Sequence, residues 1–300
     1  MNVIFVLGAA RSGSTMLAQA LSSHPDCFAA GEICNVWRHW LAGGVCSCRA
    51  RVGSCDLWGS VLTSALADHG LHSPSDAEAL RLTAARTRYE VLRRVPGLAV
   101  RTREWRAYAD LLATVYRGLQ STTGCTTIVD TSKKPVDAAA SQSAASTYLL
   151  HLVRDPRAVA AAEKRRHPAD LPALELPFVK GVVRSAVDWS WLNIFAAGLV
   201  RRAGAARSTT LAYRAVVADL RRELDGIVAA VGLDAFDWPI ADGCAYFPAG
   251  HIVNGNPTRF NTGWVAVRDT SASRPSLSAR ERMLISVITS PATRVMNRRR

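Results

Sequence analysis

The first twenty residues constrain the fold of this chain more than any other segment. A short, apolar and β-branched run, Asn2–Leu7, precedes residues 8–15 (GAARSGST), and small and apolar residues follow. Such a run is typical of a buried strand in a parallel sheet. The pattern predicts a strand, a glycine loop and a helix over residues 16–22. Because backbone amides at a helix N-terminus bind anions, we expect a phosphate cradle at this edge of a sheet.

Further apolar runs alternate with helical patterns along the chain, which is typical of a parallel sheet with helices on both faces. The predicted fold class is therefore α/β, a three-layer P-loop-like domain with a central parallel sheet. We expect a single domain over residues 1–300, with a helical insertion at residues 57–120 that has breaks near residues 73–74 and 96–97. After residue 242 the sequence is rich in Gly, Pro and Asn, and helicity is predicted to resume near Ser278. The predicted strands after the first are Cys27–Gly31, residues 126–129, residues 147–153 and Ser208–Ala212.

The charge balance narrows the function classes without choosing between them. Lys and Arg total 37 against 24 Asp and Glu, a net charge of +13, and only four cations are lysines. No apolar run approaches the roughly 20 residues of a membrane helix, and the apolar start is too short for a signal peptide. We expect a cytoplasmic protein that is either an enzyme or, as an alternative supported by the basic residues 298–300, a nucleic-acid-binding protein.

The glycine loop departs from the loop of nucleotide triphosphatases at one position. Where that loop has lysine, this chain has Ser14, and its cation is Arg11 instead. The structural alternative is an ordinary tight turn between strand and helix. A P-loop kinase or nucleotide hydrolase also stays open, because Asp130 and Asp155 each follow an apolar run, as a Mg²⁺ ligand would.

The motifs around this loop resemble those of the sulfotransferases that use 3′-phosphoadenosine 5′-phosphosulfate (PAPS), closest to a bacterial branch similar to tyrosylprotein sulfotransferases. The resemblance rests on RSGSTML from residue 11, HPD from residue 24, and the Gly31-Glu32 pair. It implies that the loop holds the 5′-phosphosulfate of PAPS. The loop residues it assigns to this role are Arg11, Ser12, Gly13, Ser14 and Thr15.

A second motif, HLVRDPRAV from residue 151, resembles the element of that family that binds the 3′-phosphate. The resemblance places Arg154 and Arg166 at the arginine positions, whereas Ala162 replaces a serine and removes one hydroxyl contact. Guanidinium groups suit bidentate contact with phosphate. Weaker matches to later parts of the family pattern imply nucleotide contacts for Tyr213, Asn256 and Arg259.

Sulfuryl transfer to a hydroxyl needs a base for the acceptor proton and cations near the transferred group. The resemblance and the position after a predicted strand both favour Glu32 as the base, with its pKa tuned by burial or neighbours; the alternative is a glutamate that stabilises a helix N-terminus. Lys133, or else Lys134, would stabilise the leaving oxygen with help from Arg11. The product would be adenosine 3′,5′-bisphosphate (PAP), and the acceptor a hydroxyl on a small molecule, glycan or lipid.

Three of the seven cysteines, Cys46, Cys48 and Cys55, lie close together in the sequence. With His39 as a possible fourth ligand, the spacing still lacks the paired C-x2-C of most zinc sites. Structural thiols or a local disulfide are therefore expected rather than a metal, a reducing cytoplasm favours the thiols, and no metal is predicted. Among the other histidines, His24 and His151 are expected to pack or cap, and His251 to approach nucleotide or acceptor.

Overall fold

In the computed structural model, the described parts of the chain are residues 1–94, 102–164, 181–269 and 277–297. Their centre is a five-stranded sheet with the strand order β2-β3-β1-β4-β5, in which every neighbouring pair is parallel. This confirms the α/β fold class. The strands are Asn2–Leu7 (β1), Cys27–Gly31 (β2), Thr127–Lys133 (β3), Ser146–Val153 (β4) and Ser208–Ala212 (β5).

Both faces of the sheet are buried, which explains the continuous apolar runs of its strands. Along β1, Val3, Phe5 and Leu7 belong to one core, while Ile4 and Val6 belong to another. Successive side chains of a strand point to opposite faces, so a run without polar residues fits only a sheet covered on both sides. The result is the predicted three-layer arrangement.

The helices form the two outer layers and the connections. Helices α3, α5, α6 and α8 contribute to the first core, and α1, α9 and α10 to the second. The helices are Ser14–Leu21 (α1), Val36–Leu41 (α2), Asp56–Asp68 (α3), Pro74–Arg94 (α4), Arg103–Thr123 (α5), Pro135–Ala144 (α6), Pro156–Lys164 (α7), Val182–Ala203 (α8), Tyr213–Ala218 (α9), Leu220–Val231 (α10) and Ala279–Asn297 (α11).

The predicted helical insertion corresponds to α3, α4 and α5, which follow one another between β2 and β3. The predicted break at residues 73–74 is confirmed, since Pro74 begins α4, a position that proline favours. The predicted break at residues 96–97 lies outside the described residues. That residues 1–300 form a single domain stays a prediction.

The prediction for β3 was too short. Asp130 was expected to end the strand, yet β3 continues through it to Lys133. Asp130 is buried there because Tyr116 donates to its Oδ2 at 2.7 Å and the Ser132 amide to its Oδ1 at 2.8 Å. A satisfied carboxylate is compatible with a buried strand, which composition alone does not reveal.

The segment after residue 242 also differs from its prediction as an irregular region. It contributes to a three-stranded antiparallel sheet of Ile240–Ala241 (β6), Cys244–Phe247 (β7) and Gly263–Ala266 (β8). The strands have two to four residues, and Phe247 packs into the second core. Strands this short give little alternation to detect. Among the described helices, none is both long and apolar enough to cross a membrane.

Candidate active site

The glycine loop lies between the carboxyl end of β1 and helix α1, as predicted. Its backbone turns through three positive φ angles, 148° at Gly8, 60° at Arg11 and 96° at Gly13. A positive φ is uncommon outside glycine, so the conformation at Arg11 is one that the surrounding contacts must hold. Loops of this shape direct successive amides towards one point and form anion-binding concavities.

Two features of the loop are those of an anion cradle. Gly13 stands at the N-cap of α1 without a side-chain hydrogen bond, so no cap occupies the amides of the first turn. The Ser12 hydroxyl is buried and has no hydrogen-bond partner. A buried hydroxyl left without a partner costs stability unless a ligand or water satisfies it. The loop therefore offers a hydroxyl and helix amides to an anion.

Both the positive φ of Gly13 and the close approach of the Tyr213 ring require glycine at this position. A Cβ at this position would lie 2.4 Å from the Tyr213 ring, and φ is 96°. Gly13→Ala is expected to destabilise the protein by at least about 1–2 kcal/mol from backbone strain alone, and to weaken anion binding because the ring or loop must move. Thermal unfolding and PAP binding measure the two effects.

Gly198→Ala is the matched control for Gly13→Ala. Gly198 lies within α8, and nothing approaches within 4 Å of a Cβ built there. Alanine in a compatible helical position stabilises, so this variant should unfold at the wild-type temperature or slightly above it. Equal effects of the two substitutions would contradict the close approach of Tyr213.

Arg154 follows the carboxyl end of β4 and joins the glycine loop to Tyr213. Its Nη1 donates to the carbonyl of Arg11 at 2.9 Å, and its guanidinium carbon lies 4.2 Å from the centre of the Tyr213 ring. The indole Nε1 of Trp189, on α8, donates to the Arg154 carbonyl at 2.9 Å. The structure thus brings together three predicted nucleotide-binding residues from three separate parts of the chain.

Arg11 has an acidic neighbour that the sequence did not indicate. Its Nε lies 3.3 Å from Oε1 of Glu163, a buried carboxylate on α7. Ala162, at the position where the family pattern has serine, is the half-buried residue before Glu163. Arg166, the second predicted arginine of this element, lies outside the described residues, and its role stays a prediction.

Glu32 directly follows β2 and precedes a short 3₁₀ turn, Ile33–Asn35. Gly31 allows this geometry, because its φ is 90° and a Cβ there would lie 2.1 Å from the Val253 carbonyl. That carbonyl accepts the Glu32 amide at 3.0 Å. Glu32 stands at the N-cap of this turn, but its side chain makes no cap hydrogen bond.

The carboxylate of Glu32 pairs with the ammonium group of Lys133, at the end of the neighbouring strand β3. The Asn35 amide group also donates to Glu32 Oε2 at 2.8 Å. Burial alone would raise the pKa of Glu32, but the Lys133 charge and these hydrogen bonds together hold it below its ordinary value. Neighbours therefore tune the pKa downward, and Glu32 is ionised at neutral pH.

The geometry distinguishes the two adjacent lysines. Lys133 has a positive φ of 68°, is largely buried, and also donates to the Thr131 carbonyl at 3.1 Å. Lys134 is exposed at the N-cap of α6. Lys133 is therefore the lysine that lies beside Glu32.

A segment from the C-terminal part of the chain, residues 251–261, covers this edge of the sheet; we call it the cover segment. A Cβ on Gly255 would lie 3.5 Å from Thr15 Oγ1 and 3.7 Å from Glu32 Oε1. On the other side of Thr15, Gln19 donates to the Asn261 carbonyl at 2.9 Å. The cover segment therefore bounds the space above the glycine loop and Glu32.

The structure gives Asn256 and Arg259 roles within the cover segment. The Asn256 side chain accepts the Thr258 amide at 3.1 Å. Arg259 is buried and donates to the carbonyls of Gly255 and Val45 at 3.1 and 3.4 Å. Both side chains hold the segment in place, and their predicted contact with a nucleotide stays a prediction.

The two acids that kept a Mg²⁺-dependent alternative open have other partners. Asp130 Oδ2 accepts from the Tyr116 hydroxyl on α5 and its Oδ1 from the Ser132 amide within β3, and burial raises its pKa to about 6. Asp155 accepts the Arg157 amide at 2.7 Å and caps the start of α7. Both oxygens of Asp130 are thus already engaged by protein donors, whereas a Mg²⁺ ligand would direct an oxygen to the metal.

The expectations for His24 and His151 are confirmed, and that for His39 is corrected. His24 accepts the Asp26 amide at 3.1 Å within its turn, and buried His151 lies 2.8 Å from Asn193 Oδ1. The Nδ1 of His251 lies 3.2 Å from the sulfur of Cys55, and the expected approach of His251 to nucleotide or acceptor stays a prediction. His39 contacts the Val45 carbonyl instead of the cysteines.

Four residues that contribute to this edge were not predicted as site residues: Asn35, Glu163, Val253 and Gly255. Asn35 acts through its side-chain amide on Glu32, three residues earlier, whereas the other three act through a partner distant in the sequence or through the backbone. An acid on α7 facing the glycine loop is the one feature that a search for buried charge on helix faces would have found.

Comparison with known proteins gives a consistent result. The model of the sulfotransferase family matches residues 3–237. The sulfotransferase domain of the Synechococcus PCC 7002 olefin synthase is 19% identical, with a TM-score of 0.54 over 98% of this chain and 94% of that domain.

The sulfotransferase domain of the curacin biosynthetic pathway is 13% identical, with a TM-score of 0.54 over 96% of this chain and 97% of that domain. These identities show a shared fold alone. No curated protein matches the chain significantly. Because the family match covers most of the chain, this protein belongs to the sulfotransferase family.

Proposed function

We propose that this protein transfers a sulfuryl group from PAPS to a hydroxyl acceptor, with Glu32 as the base. The observation that carries the proposal is the contact between Glu32 and Lys133 at the edge of the sheet that also holds the glycine loop. A carboxylate and an ammonium group at one point match the two demands of the reaction, proton removal and charge stabilisation.

The residues present fit an anionic nucleotide. The unpartnered Ser12 hydroxyl and the first-turn amides of α1 suit the 5′-phosphosulfate. Arg154, which stacks on Tyr213, suits a second phosphate group, since a guanidinium offers several donors in one plane. When bound, PAPS supplies an activated sulfuryl group and a leaving oxygen that gains negative charge.

Glu32 then acts on the incoming acceptor and Lys133 on the leaving group. Glu32 accepts the acceptor proton as the new oxygen–sulfur bond forms, and Lys133 stabilises the oxygen released as the old bond breaks. In the structure Lys133 weakens Glu32 as a base by lowering its pKa. Moving that positive charge away from Glu32 raises the basicity of the carboxylate, which couples proton removal to departure of the leaving group.

Lys133→Gln tests this coupling through the pH dependence of the reaction. Glu32 must be ionised to act, so kcat/KM falls at low pH through its pKa. Without Lys133 the burial of Glu32 is less opposed, and its pKa rises. We expect the acidic limb of the kcat/KM profile to move to higher pH, together with a fall in kcat of roughly 100-fold.

Lys134→Gln provides the matched control, because Lys134 is exposed and acts on Glu32 least among the groups that lower its pKa. Its profile should shift less than that of Lys133→Gln, with kcat near the wild-type value. A larger effect at Lys134 would assign the catalytic cation to that residue instead.

Calorimetry tests the proposed donor directly. The purified chain is titrated with PAP and, separately, with ATP and Mg²⁺. Tight binding of PAP and weak binding of ATP are expected, because the loop lacks the lysine that contacts the β- and γ-phosphates of a nucleotide triphosphate. A preference for ATP would overturn the proposed donor and restore the kinase or hydrolase alternative.

The acceptor is proposed by class only, as a hydroxyl on a small molecule, glycan or lipid. The described part of the insertion, helices α3, α4 and α5, is proposed to shape the acceptor side, and the reaction is proposed to take place in the cytoplasm. Transfer of radiolabelled sulfate from PAPS to a panel of alcohols and phenols, compared with amines, tests the hydroxyl assignment.

A further inference from the structure

Three cysteines and one histidine meet beside the cover segment, outside the residues that the proposed reaction uses. The sulfurs of Cys46, Cys48 and Cys55 and one ring nitrogen of His251 all lie within 4.8 Å of one another. Cys48 Sγ is 3.7 Å from Cys55 Sγ, and Cys55 Sγ is 3.2 Å from His251 Nδ1. The histidine comes from a part of the chain 196 residues away from Cys55.

These distances fit a shared metal ion better than a disulfide. In a tetrahedral zinc site the Zn–S distance of about 2.3 Å places two sulfurs roughly 3.8 Å apart. A disulfide requires about 2.05 Å and uses only two of the sulfurs. Cys46, Cys48 and Cys55 are all free thiols in the structure. A disulfide would also leave the close approach of the third thiol and of His251 unexplained.

The backbone around the cluster is built to hold the sulfurs. The Cys46 amide donates to the Ala50 carbonyl at 2.9 Å and the Val52 amide to the Gly44 carbonyl at 3.0 Å, so the loop that carries Cys46 and Cys48 is closed by its own backbone. Arg49 has a φ of 74° and closes the tight turn after Cys48, donating its amide to the Cys46 carbonyl at 2.8 Å.

His251 is fixed in its place by the same neighbourhood. The Trp58 indole donates to the His251 carbonyl at 2.6 Å. Ser47, between two of the cysteines, donates to the Gly250 carbonyl at 2.7 Å and accepts the Ile252 amide at 2.8 Å. Contacts of this kind orient the ligands of metal sites.

We infer that Cys46, Cys48, Cys55 and His251 bind one Zn²⁺ ion in a structural site that ties the cover segment to the loop before α3. Three thiolates and an imidazole in a tetrahedral set select zinc among the common divalent ions. Four protein ligands leave no open position, which is the mark of a structural rather than a catalytic site. The inference revises the expectation of free thiols or a local disulfide.

The position of this site links it to the edge of the sheet described above. Cys46 forms an antiparallel bridge with Val253, whose amide donates to the Ala30 carbonyl at 2.9 Å and whose carbonyl accepts the Glu32 amide. A metal ion between Cys46 and His251 would therefore fix the cover segment relative to Glu32. The zinc site itself does not depend on the proposed reaction.

Metal analysis of the full chain tests the inference. The protein is expressed in zinc-supplemented medium, purified without chelator, and its zinc content measured by mass spectrometry. We expect about one zinc per chain in the wild type, and at least tenfold less in Cys48→Ser and His251→Ala. Cys125→Ser is the matched control, because Cys125 lies outside the cluster, and it should keep the wild-type content.

Cobalt substitution of the wild-type protein gives a measurement that does not depend on variants folding. Co²⁺ bound by three thiolates in a tetrahedral site produces sulfur-to-cobalt charge-transfer bands and intense visible bands. Their appearance at one equivalent supports the site. Wild-type protein that holds neither zinc nor cobalt, a Cys48–Cys55 disulfide found by peptide mass mapping, or equal zinc in all variants would each overturn it.

Discussion

Replacing Glu32 with glutamine is expected to abolish turnover while leaving nucleotide binding intact. The substitution removes the group proposed to take the acceptor proton, and loss of a general base lowers kcat by about 10²- to 10⁴-fold. The amide keeps the size of the side chain, and its single oxygen can still accept a hydrogen bond from either Lys133 or Asn35, which in the wild type donate to different oxygens of Glu32. Steady-state kinetics with PAPS and calorimetry with PAP measure the two quantities separately.

Glu223→Gln is the control for this substitution, because Glu223 lies in the first turn of α10, away from the residues of the proposed site. It should retain wild-type kcat. If Glu32→Gln retained full activity as well, the proton would have to pass to another group. If Glu32→Gln also lost PAP binding, the loss of activity would be due to a changed structure at this edge of the sheet and not to the loss of proton transfer.

The second large effect is expected for Arg154→Ala, in nucleotide affinity. A hydrogen bond to a charged group contributes about 1.5–3 kcal/mol, so removal of the guanidinium should raise the Kd for PAP by about 10- to 100-fold. The same substitution removes the contact with the Arg11 carbonyl and the stacking on Tyr213. The glycine loop should therefore lose part of its support, which lowers the thermal unfolding temperature.

Arg157→Ala separates this local effect from a general loss of positive charge. Arg157 lies three residues later, and its side chain is 54% exposed beside Asp155. PAP affinity should change little, because an exposed ion pair of this kind contributes at most about 1 kcal/mol. Similar losses of affinity in both variants would mean that the net charge, not the position of Arg154, governs binding.

The sequence predicted the central sheet well, because both of its faces are buried. In a strand such as β1 the five buried residues Val3–Leu7 are then all apolar, and the run stands out from its surroundings. The same logic located Glu32, Lys133 and Arg154, each beside the carboxyl end of a strand. Ligand sites of open α/β sheets lie at this edge, so the position of each residue after a strand indicated that it belongs to the site.

The pairing of these residues was not predictable, since it depends on the strand order. Glu32 meets Lys133, 101 residues later, because β2 lies beside β3 in the sheet. The sequence also gave no sign that His251 joins Cys55, or that Val253 bridges to Gly31. Those contacts arise from a segment of turns and very short strands, where neither periodicity nor composition specifies the partner.

The cover segment has a consequence for the order in which the chain acquires activity during synthesis. The five strands of the central sheet are complete once residue 212 has been made, whereas the cover segment begins at residue 251. Domains form from the N-terminus as the ribosome releases the chain, and contacts between distant segments form slowly. The nascent protein can therefore hold a folded sheet and glycine loop before Val253 reaches Gly31, and catalytic competence should be among the last properties it gains.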